Sequence, residues 1–405
     1  MGTVRRKLCI LASFSILAFV WIVLSNPPSL QWTSGQVMQS PSTWNAQTLD
    51  HLPLLAGQSE SETHVAAGRV ADGWMASESP DLPGRFVGSK IILLWTPFFG
   101  TWNYVVPLNR TSCAVNTCMY TSDRKLYPQA DAVIFHIRDV NATDLPDEKV
   151  RRSSQLWIML LHESPEFTPK EVIKALDGKI NWTITHRFDS DICLTPVSSK
   201  VSSDEVPLVT DEAALEAVIA NKTRMVAWFV SHCTTPSHRE LYARELQKYI
   251  PVDIYGACGR YRCHPKMSSK CYQDMATQYH FYLSFENSLC RDYVTEKLFN
   301  VLEYPIVPVV MTSANLSLVA PPNSVISTSD FGEPSDLATY LIHLVKRRDE
   351  YLQYFKWKRQ FRVKGLQHYS CRLCQMLQAN PRKSKVYSDL YHWWFTQANC
   401  TNWSL

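Results

Sequence analysis

The 405-residue sequence lacks several features that would assign it to a common class of proteins at once. It has no large charge excess, because 41 basic residues stand against 37 acidic ones, and no polybasic block beyond a short one at the N-terminus. This balance argues against nucleic acid as the main partner. No solenoid-type repeat is present either. With 45% hydrophobic and 12% aromatic residues, the chain is not disordered and is long enough for two domains.

The cysteines lack the arrangement of a zinc or redox site. Cys371 and Cys374 form a Cys-x-x-Cys pair, but there is neither a second closely spaced pair nor the histidine partners that a zinc site needs. A thioredoxin-like context is also absent. Of the 12 cysteines, Cys9 lies in an apolar run and the others suffice for several disulfides in an oxidising compartment. We therefore expect structural disulfides.

The apolar run near the N-terminus, residues 8–24, contains no charged residue and reaches the lower limit of a bilayer span. A cleaved signal peptide is the alternative, but no small-x-small cleavage site follows the run. We predict a signal anchor, with residues 1–7 as a cytoplasmic tail and the remaining chain in the lumen. Residues 25–88 are rich in Ser, Pro, Gln, Gly and Ala, which is typical of a stem.

Seven Asn-x-Ser/Thr sequons agree with a luminal chain. We expect N-glycans at five of them and note two more at the C-terminus; the five begin at Asn109, Asn141, Asn181, Asn221 and Asn315, and the other two at Asn399 and Asn402.

Short apolar runs alternate with segments of helical spacing from residue 90 onward. The runs "KIILLW", "DAVIFH" and "LWIMLL" predict buried strands in the first half, and "MVAWFV", "VDIYG", "HFYLSF" and "IVPVVM" predict strands in the second. The segments "PKEVIKAL", "HRELYARELQKYI" and "VTEKLFNVLEY" predict helices. Successive strand–helix–strand units indicate an α/β fold with two doubly wound parallel sheets. We place the domains at 89–205 and 206–395, followed by a tail at 396–405.

Polar clusters follow several of these strands, at the edge where doubly wound sheets bind ligands. Lys297 lies at a helix start, where the dipole disfavours a cation, so it either binds a polyphosphate or forms a solvated pair with Glu296. Arg239 raises the same question, with phosphate binding and a plain surface arginine as the alternatives. Glu163 follows a strand and is either a general base or a loop hydrogen-bond acceptor.

The tripeptide Asp189-Ser190-Asp191 has the form of a metal–nucleotide motif, but it is too short to be specific. We favour structural use of the two carboxylates over a Mn²⁺ site.

Several of these segments together resemble the α1,3-fucosyltransferase family. "FYLSFENSLCRDYVTEKLFN" is similar to the family signature, and three further segments match in the same order: "CMYTSDRKLYPQADAVIFHIRD", "NWTITHRFDSDI" and "MVAWFVSHC…YARELQKYIPVDIYGACG". The resemblance covers roughly residues 89–395 and is densest over 224–310.

The resemblance implies a type II Golgi membrane enzyme with a GT-B arrangement of two Rossmann-like domains facing a cleft. Such enzymes transfer L-fucose from GDP-β-L-fucose to a hydroxyl of N-acetylglucosamine in N-glycans or glycoproteins and invert the anomeric centre. No metal is strictly required, while divalent ions such as Mn²⁺ can stimulate the reaction. The competing interpretation is a catalytically silent luminal relative that binds glycans.

Site roles also follow from the resemblance. Arg239 and Lys297 would hold the diphosphate, and Asn287, Tyr293 and Glu296 would complete the donor site. Glu163 corresponds to the family's proposed general base. A C-terminal Cys-x-x-Cys that is tied to two N-terminal-domain cysteines implies pairing of Cys113 and Cys118 with Cys371 and Cys374.

The sequence departs from the family pattern in two places, reading "PVVMTS" after residue 307 and "CLTPVSS" after Ile192. These departures bear on acceptor fit and turnover. A further cysteine pattern is similar to that of invertebrate and plant enzymes that act on the N-glycan core, so we favour core GlcNAc over Lewis-type antennae. This pattern consists of Cys233, Cys258, Cys263, Cys271 and Cys290.

Overall fold

The computed structural model describes most of the chain beyond residue 88: residues 89–102, 113–195, 198–200, 211–266, 268–363, 369–379 and 385–404. The predicted tail, span and stem, and the sequon at Asn109, lie outside these ranges. Within them, no helix has both the length and the apolar character needed to cross a bilayer.

The first half of the described chain forms a six-stranded parallel sheet with the order β2-β1-β3-β4-β5-β6. Its strands are β1 Lys90–Leu94, β2 Cys118–Thr121, β3 Ala132–His136, β4 Leu156–Leu160, β5 Trp182–Thr185 and β6 Ile192–Cys193. A further short strand, β7, spans Ser198–Lys200.

The second half forms a five-stranded parallel sheet with the order β12-β11-β10-β8-β9. Its strands are β8 Arg224–Phe229, β9 Val252–Tyr255, β10 Tyr279–Phe285, β11 Val307–Met311 and β12 Ile326–Ser327. Strand β13, Phe361–Val363, pairs antiparallel with β7. The prediction of an α/β fold with two parallel sheets is confirmed, and each of the seven quoted runs from residue 90 onward contains a strand.

Nine α-helices connect and cover the strands within the described ranges: α1 Lys170–Leu176, α2 Glu212–Ala220, α3 Arg239–Leu246, α4 Ser269–Gln278, α5 Glu296–Leu302, α6 Leu316–Val319, α7 Pro334–Lys346, α8 Arg348–Gln353 and α9 Tyr369–Ala379. Single 3₁₀ or π turns lie at Arg124–Gln129, Ile137–Asp139, Glu148–Val150, Pro165–Phe167, Thr328–Asp330, Lys356–Arg359 and His392–Thr396. The three predicted helical segments form α1, α3 and α5.

Both faces of each sheet are buried, which explains why the strands read as continuous apolar runs rather than as alternating ones. In the first sheet, Val133 and Phe135 pack toward α1, while the intervening Ile134 packs toward α9. In the second, Trp228 packs with α3 and α7, while the neighbouring Ala227 packs against α4. Because successive side chains of a strand point to opposite faces of the sheet, each strand contributes residues to the cores on both faces.

The C-terminal part of the chain returns to the first sheet. Helix α9 contributes Leu373 and Leu377 to the first sheet's core, and Leu390, Trp393 and Trp394 pack into the core on the opposite face. The division at 205–206 groups these residues with the second sheet, whereas their side chains pack in the first. The division itself falls in residues 201–210, outside the described ranges, and stays a prediction.

Five disulfides link the described cysteines, and two of them fasten α9 to the region of β2. Cys113 is bonded to Cys371 and Cys118 to Cys374, which is the set of partners that the resemblance implies. The other three bridges are Cys233–Cys258, Cys263–Cys271 and Cys290–Cys400, and Cys193 is a free thiol.

One predicted glycosylation site is contradicted by the fold. Asn181 is 3% exposed. Its Oδ1 accepts from the backbone N–H of Trp157 at 2.8 Å and from Arg151, and its Nδ2 donates to the carbonyl of Lys385 at 3.0 Å. Both ends of the amide are therefore used inside the protein, and a glycan has no room there. The remaining described sequons, Asn141, Asn221, Asn315, Asn399 and Asn402, are exposed.

Candidate functional site

The carboxyl ends of the two sheets meet, and the loops that follow their strands contact one another. Ser164, after β4, is hydrogen-bonded to Ser288, after β10, with 2.7 Å between the hydroxyl oxygens. The ring of His186, after β5, packs edge-on against Tyr293 with a centroid distance of 4.9 Å. Ligands of doubly wound sheets bind at this edge. The facing loops therefore form the candidate site.

On the second sheet, the side of the site is built around Glu286, which follows the last residue of β10. Its carboxylate is fully buried and accepts hydrogen bonds from the N–H and the hydroxyl of Thr295, the residue directly before α5. The Nζ of Lys297 lies 3.2 Å from Glu286 and 3.4 Å from Glu296. A buried carboxylate thus fixes both the start of α5 and the lysine on its first turn.

Charge coupling holds Lys297 in its protonated form. Burial works to lower the pKa of Lys297, but the nearby charges of Glu286 and Glu296 outweigh it and raise the pKa above its ordinary value. Burial raises the pKa of Glu286, an effect that Lys297 partly offsets. Lys297 is 26% exposed and Glu286 only 1%. The lysine can therefore reach a ligand while its partner cannot.

Arg239 is the first residue of α3, as predicted, but its side chain is buried rather than presented to solvent. It is 4% exposed and donates to the carbonyls of Phe285 at 2.7 Å and His232 at 3.3 Å. Its Nε is buried and has no hydrogen-bond partner among the described residues. Burial lowers the pKa of Arg239, against the opposing charge of Glu286. In this structure the guanidinium is hydrogen-bonded to these two loop carbonyls and adds positive charge near Glu286.

Asn287 and Tyr293 lie in the loop between β10 and α5. The Oδ1 of Asn287 is buried and unpaired within the described part of the chain, and its carbonyl accepts from the N–H of Ser237 at 3.1 Å. Tyr293 is 2% exposed, and burial raises the pKa of its phenol, with further contributions from Glu286, Glu163 and Glu296. The phenol therefore stays protonated at a point where carboxylates from both sheets are near.

Glu163 lies on the opposite side, in the loop after β4. Its side chain is partly exposed, and the described residues give its carboxylate neither a hydrogen bond nor an ion pair. The charge of Glu163 acts on Tyr293 across the site. This combination of partial burial and a free carboxylate is what a base that accepts a proton from a bound substrate requires.

A row of three histidines accompanies Glu163. His136 ends β3, and His162 and His186 follow β4 and β5, three neighbouring strands of the first sheet. Burial, with smaller effects of nearby positive groups, lowers the pKa of His162 to about 4 and that of His186 to about 3. Burial also lowers the pKa of His136, an effect that is partly offset by the Asp139 carboxylate in contact with its Nδ1. The row is therefore neutral, and each of the three rings keeps at least one buried nitrogen without a partner among the described residues.

The Asp-x-Asp tripeptide is used structurally. Asp189 is paired with Arg187 through two contacts of 2.8 and 2.6 Å. Asp191 accepts from the N–H of Thr183 at 2.9 Å and from Tyr387 at 3.0 Å, and it pairs with Lys385 at 2.8 Å. Over the residues that the structure describes, no group of three or more His, Cys, Asp or Glu side chains is placed to hold a metal ion.

Six site residues were predicted from the sequence, and the fold brings all of them to the facing edges of the two sheets. They are Glu163 on the first sheet and Arg239, Asn287, Tyr293, Glu296 and Lys297 on the second. The sequence did not identify Glu286 as the buried partner of Lys297, nor the histidine row. Because Glu286 directly follows a predicted strand, the sequence places it at the carboxyl edge of the sheet. The burial of its side chain depends on tertiary packing and cannot be read from the sequence. His136 ends one predicted strand and His162 follows another, whereas the strand before His186, β5, was not predicted; the strand order β3-β4-β5 makes the three histidines neighbours.

The fold and the site together define an α/β enzyme architecture with its ligand site between two sheets. The model "Fucosyltransferase, N-terminal" matches residues 88–196, and "Glycosyltransferase family 10 (fucosyltransferase) C-term" matches residues 219–393. Alpha-(1,3)-fucosyltransferase C of Drosophila melanogaster is 34% identical over 339 residues, covering 77% of this chain and 79% of that protein. The chain therefore belongs to the α1,3-fucosyltransferases of glycosyltransferase family 10.

Other similar proteins include a human relative and a solved structure. The 4-galactosyl-N-acetylglucosaminide 3-alpha-L-fucosyltransferase FUT6 of Homo sapiens is 37% identical over 319 residues, covering 76% of this chain and 84% of that protein. A crystal structure of an alpha1,3-fucosyltransferase aligns with 13% sequence identity and a TM-score of 0.49, covering 78% of this chain and 96% of the other.

Proposed function

We propose that this glycosyltransferase moves L-fucose from GDP-β-L-fucose to a GlcNAc hydroxyl of an N-glycan or glycoprotein, with inversion at the anomeric carbon. The observation that carries the proposal is the position of Glu163, a free carboxylate, across the site from the Glu286–Lys297–Glu296 cluster. One side has a base for the acceptor, and the other has a cation for the donor.

The donor would lie along the second sheet. Lys297 is protonated and partly exposed, and its contact with the exposed Glu296 is the weaker of its two ion pairs. A phosphate oxygen can replace that contact while Glu286 keeps the ammonium in place. Negative charge grows on the leaving diphosphate as the glycosidic bond breaks, so a fixed cation at this point stabilises the transition state more than the ground state. Arg239, which lies near Lys297, adds to the positive potential at this point.

The acceptor would enter from the side of the first sheet. Glu163 would take the proton of the attacking hydroxyl as the new bond forms on the face opposite to the leaving diphosphate, and this single displacement inverts the configuration. The neutral histidines beside it add no positive charge to this side of the site. The donor's diphosphate is neutralised by protein cations, so we propose that the chemistry does not strictly require a metal, with Mn²⁺ at most stimulatory.

The test is a transfer assay with the full-length chain in detergent, using GDP-fucose and a panel of core and antennary N-glycans read by mass spectrometry. We expect a mass gain of one fucose, on core GlcNAc in preference to Lewis-type antennae, and retention of activity in EDTA. Binding of glycans without transfer to any of them would favour the silent, glycan-binding alternative. Loss of donor binding in EDTA would contradict the metal-independent mechanism.

We further propose that the protein is a single-pass type II membrane protein of the Golgi with the catalytic part in the lumen. Support comes from the apolar run of residues 8–24 and from the five disulfides of the luminal part, which need an oxidising compartment. Protease protection in sealed Golgi vesicles should leave a C-terminal epitope intact. An epitope that is cleaved without detergent would contradict this orientation.

A further inference from the structure

The last residues of the described chain, 397–404, form a segment that we call the C-terminal strap. It begins directly after a π turn, His392–Thr396, whose Trp394 is fully buried in the core of the first sheet. From there the strap leaves the first sheet and contacts two loops of the second sheet. One is the loop after β10, and the other is the loop after β8.

The strap is fastened to the loop after β10 by a disulfide and by backbone hydrogen bonds. Cys400 is bonded to Cys290. On either side of this bridge, Thr401 N–H donates to the carbonyl of Leu289 at 2.9 Å, and Arg291 N–H donates to the carbonyl of Ala398 at 2.7 Å. Ala398 is 1% exposed. Its methyl group packs with Cys290 against the ring of Tyr293, a predicted donor-site residue.

The same segment is fastened to the loop after β8. Trp403 N–H donates to the carbonyl of Ser237 at 3.1 Å, and its own carbonyl lies 2.9 Å from Nδ1 of His238. The indole packs edge-on against Tyr242 with a centroid distance of 5.0 Å. His238 has a φ of 57°, a left-handed conformation that is unfavourable for a residue with a side chain. Its contact with Trp403 helps to hold this conformation directly before Arg239.

These two loops carry most of the predicted donor site: Arg239 follows the first, and Asn287 and Tyr293 lie in the second. They also bond to each other through Ser237, whose hydroxyl donates to the carbonyl of Glu286 at 2.8 Å. The strap is therefore bonded to two loops that are also bonded to each other. Because loops that are ordered before binding spare a ligand the cost of ordering them, such bracing raises affinity without any contact to the ligand.

We propose that the C-terminal strap is a positioning element of the donor site, which holds the loops after β8 and β10 in the geometry that binds the nucleotide diphosphate. The inference rests on the proposed function for the location of the donor. The strap residues act through the loop backbones, so they are positioning residues and not catalytic ones. The effect is specific to donor binding, because the acceptor side of the site belongs to the first sheet.

The test measures binding of GDP alone to the full-length chain by isothermal titration, which needs no knowledge of the acceptor. Three changes of increasing severity are compared: Trp403→Ala, the pair Cys290→Ser and Cys400→Ser, and removal of all residues after 396. We expect the Kd for GDP to rise about tenfold for the disulfide pair and more for the truncation. In the transfer assay, KM for GDP-fucose should rise while KM for the glycan stays unchanged.

Two controls separate positioning from general stability. Trp403→Phe keeps an aromatic ring against Tyr242 and should bind GDP as the unaltered chain does. The pair Cys113→Ser and Cys371→Ser removes a disulfide of the first sheet and should lower the unfolding temperature without changing the Kd for GDP. If Trp403→Ala and the Cys290/Cys400 pair bind GDP as tightly as the unaltered chain, the inference is wrong.

The inference is also wrong if the Cys113/Cys371 pair weakens GDP binding equally. If the unaltered chain does not bind GDP at all, it is the proposed function that fails. The two results are therefore distinguishable.

Discussion

Replacing Lys297 tests the proposed donor site most directly, but the structure shows that a single substitution would be ambiguous. Lys297 is the ion-pair partner of Glu286, which is 1% exposed. Removing one member of a buried ion pair costs about 3–5 kcal/mol, because the other charge is left without compensation. Lys297 is 26% exposed, so solvent screening reduces the expected cost for Lys297→Met to about 2 kcal/mol.

A double substitution removes this ambiguity. In the pair Glu286→Gln and Lys297→Met neither partner of this ion pair is left charged, and the glutamine can still accept from the N–H of Thr295. We expect the free energy of unfolding, measured in urea, to return to within about 1 kcal/mol of the unaltered chain. Transfer should nevertheless stay about 10²–10³-fold below normal in both the single and the double variant, because the cation that faces the leaving diphosphate is absent from both.

The outcome that would refute this reasoning is specific. If the double variant recovers both stability and transfer, the role of Lys297 is only to neutralise Glu286, and the diphosphate is bound elsewhere. Titration with GDP gives an independent reading, since Kd should rise in both variants. Lys297→Arg, which keeps the charge on a longer and planar group, serves as the matched control and should retain part of the activity.

Three further predictions follow from the same structure. Glu163→Gln should lower kcat about 10²–10⁴-fold while the Kd for GDP stays unchanged, and unaltered turnover would mean that another group is the base. Burial lowers the pKa values of His162 and His186 from the ordinary 6.5 to about 4 and about 3. Their contribution to the free energy of unfolding is therefore complete above pH 6.5 and is lost as the pH decreases from 6.5 toward these two values. Each of these two histidines should lower the free energy of unfolding by about 2 kcal/mol at pH 5 relative to pH 7.5, which urea unfolding at the two pH values can measure. A free energy of unfolding that does not change between these pH values would contradict their burial as neutral groups. Asn181→Ala should destabilise the chain by about 2–3 kcal/mol and leave its glycan mass unchanged, whereas Asn141→Gln should be neutral in stability and remove one glycan, so a glycopeptide at Asn181 would contradict the fold.

Much of the architecture could be predicted from the sequence because it depends on local patterns. A strand buried on both faces must be apolar at every position, so runs such as "DAVIFH" and "IVPVVM" mark parallel strands without any knowledge of their partners. Helical spacing marked α1, α3 and α5 in the same way. Polar residues directly after such strands must lie at the carboxyl edge of a sheet, and this placed Glu163 and Asn287 correctly at the facing edges.

What each of these side chains contacts could not be predicted, because contacts depend on how distant segments pack. Arg239 is at the start of its helix as expected, yet its guanidinium is buried against the carbonyls of Phe285 and His232. Asn181 fits a sequon, but its amide is hydrogen-bonded both to Trp157 and to Lys385. Lys385 lies 204 residues after Asn181 in the chain. A sequence motif carries no information on such burial.

The sequence by itself determined seven of the strands, three of the helices that follow them and the polar residues after those strands, since each depends on neighbours a few positions away. Only the tertiary structure decided that Glu286 is the buried ion-pair partner of Lys297, that three histidines lie side by side near Glu163, and that the segment around Cys400 is bonded to the loops after β8 and β10. Glu286 and Lys297 are 11 positions apart, and Cys290 and Cys400 are 110 positions apart. These features arise because parallel strands bring their carboxyl ends together whatever the length of chain between them.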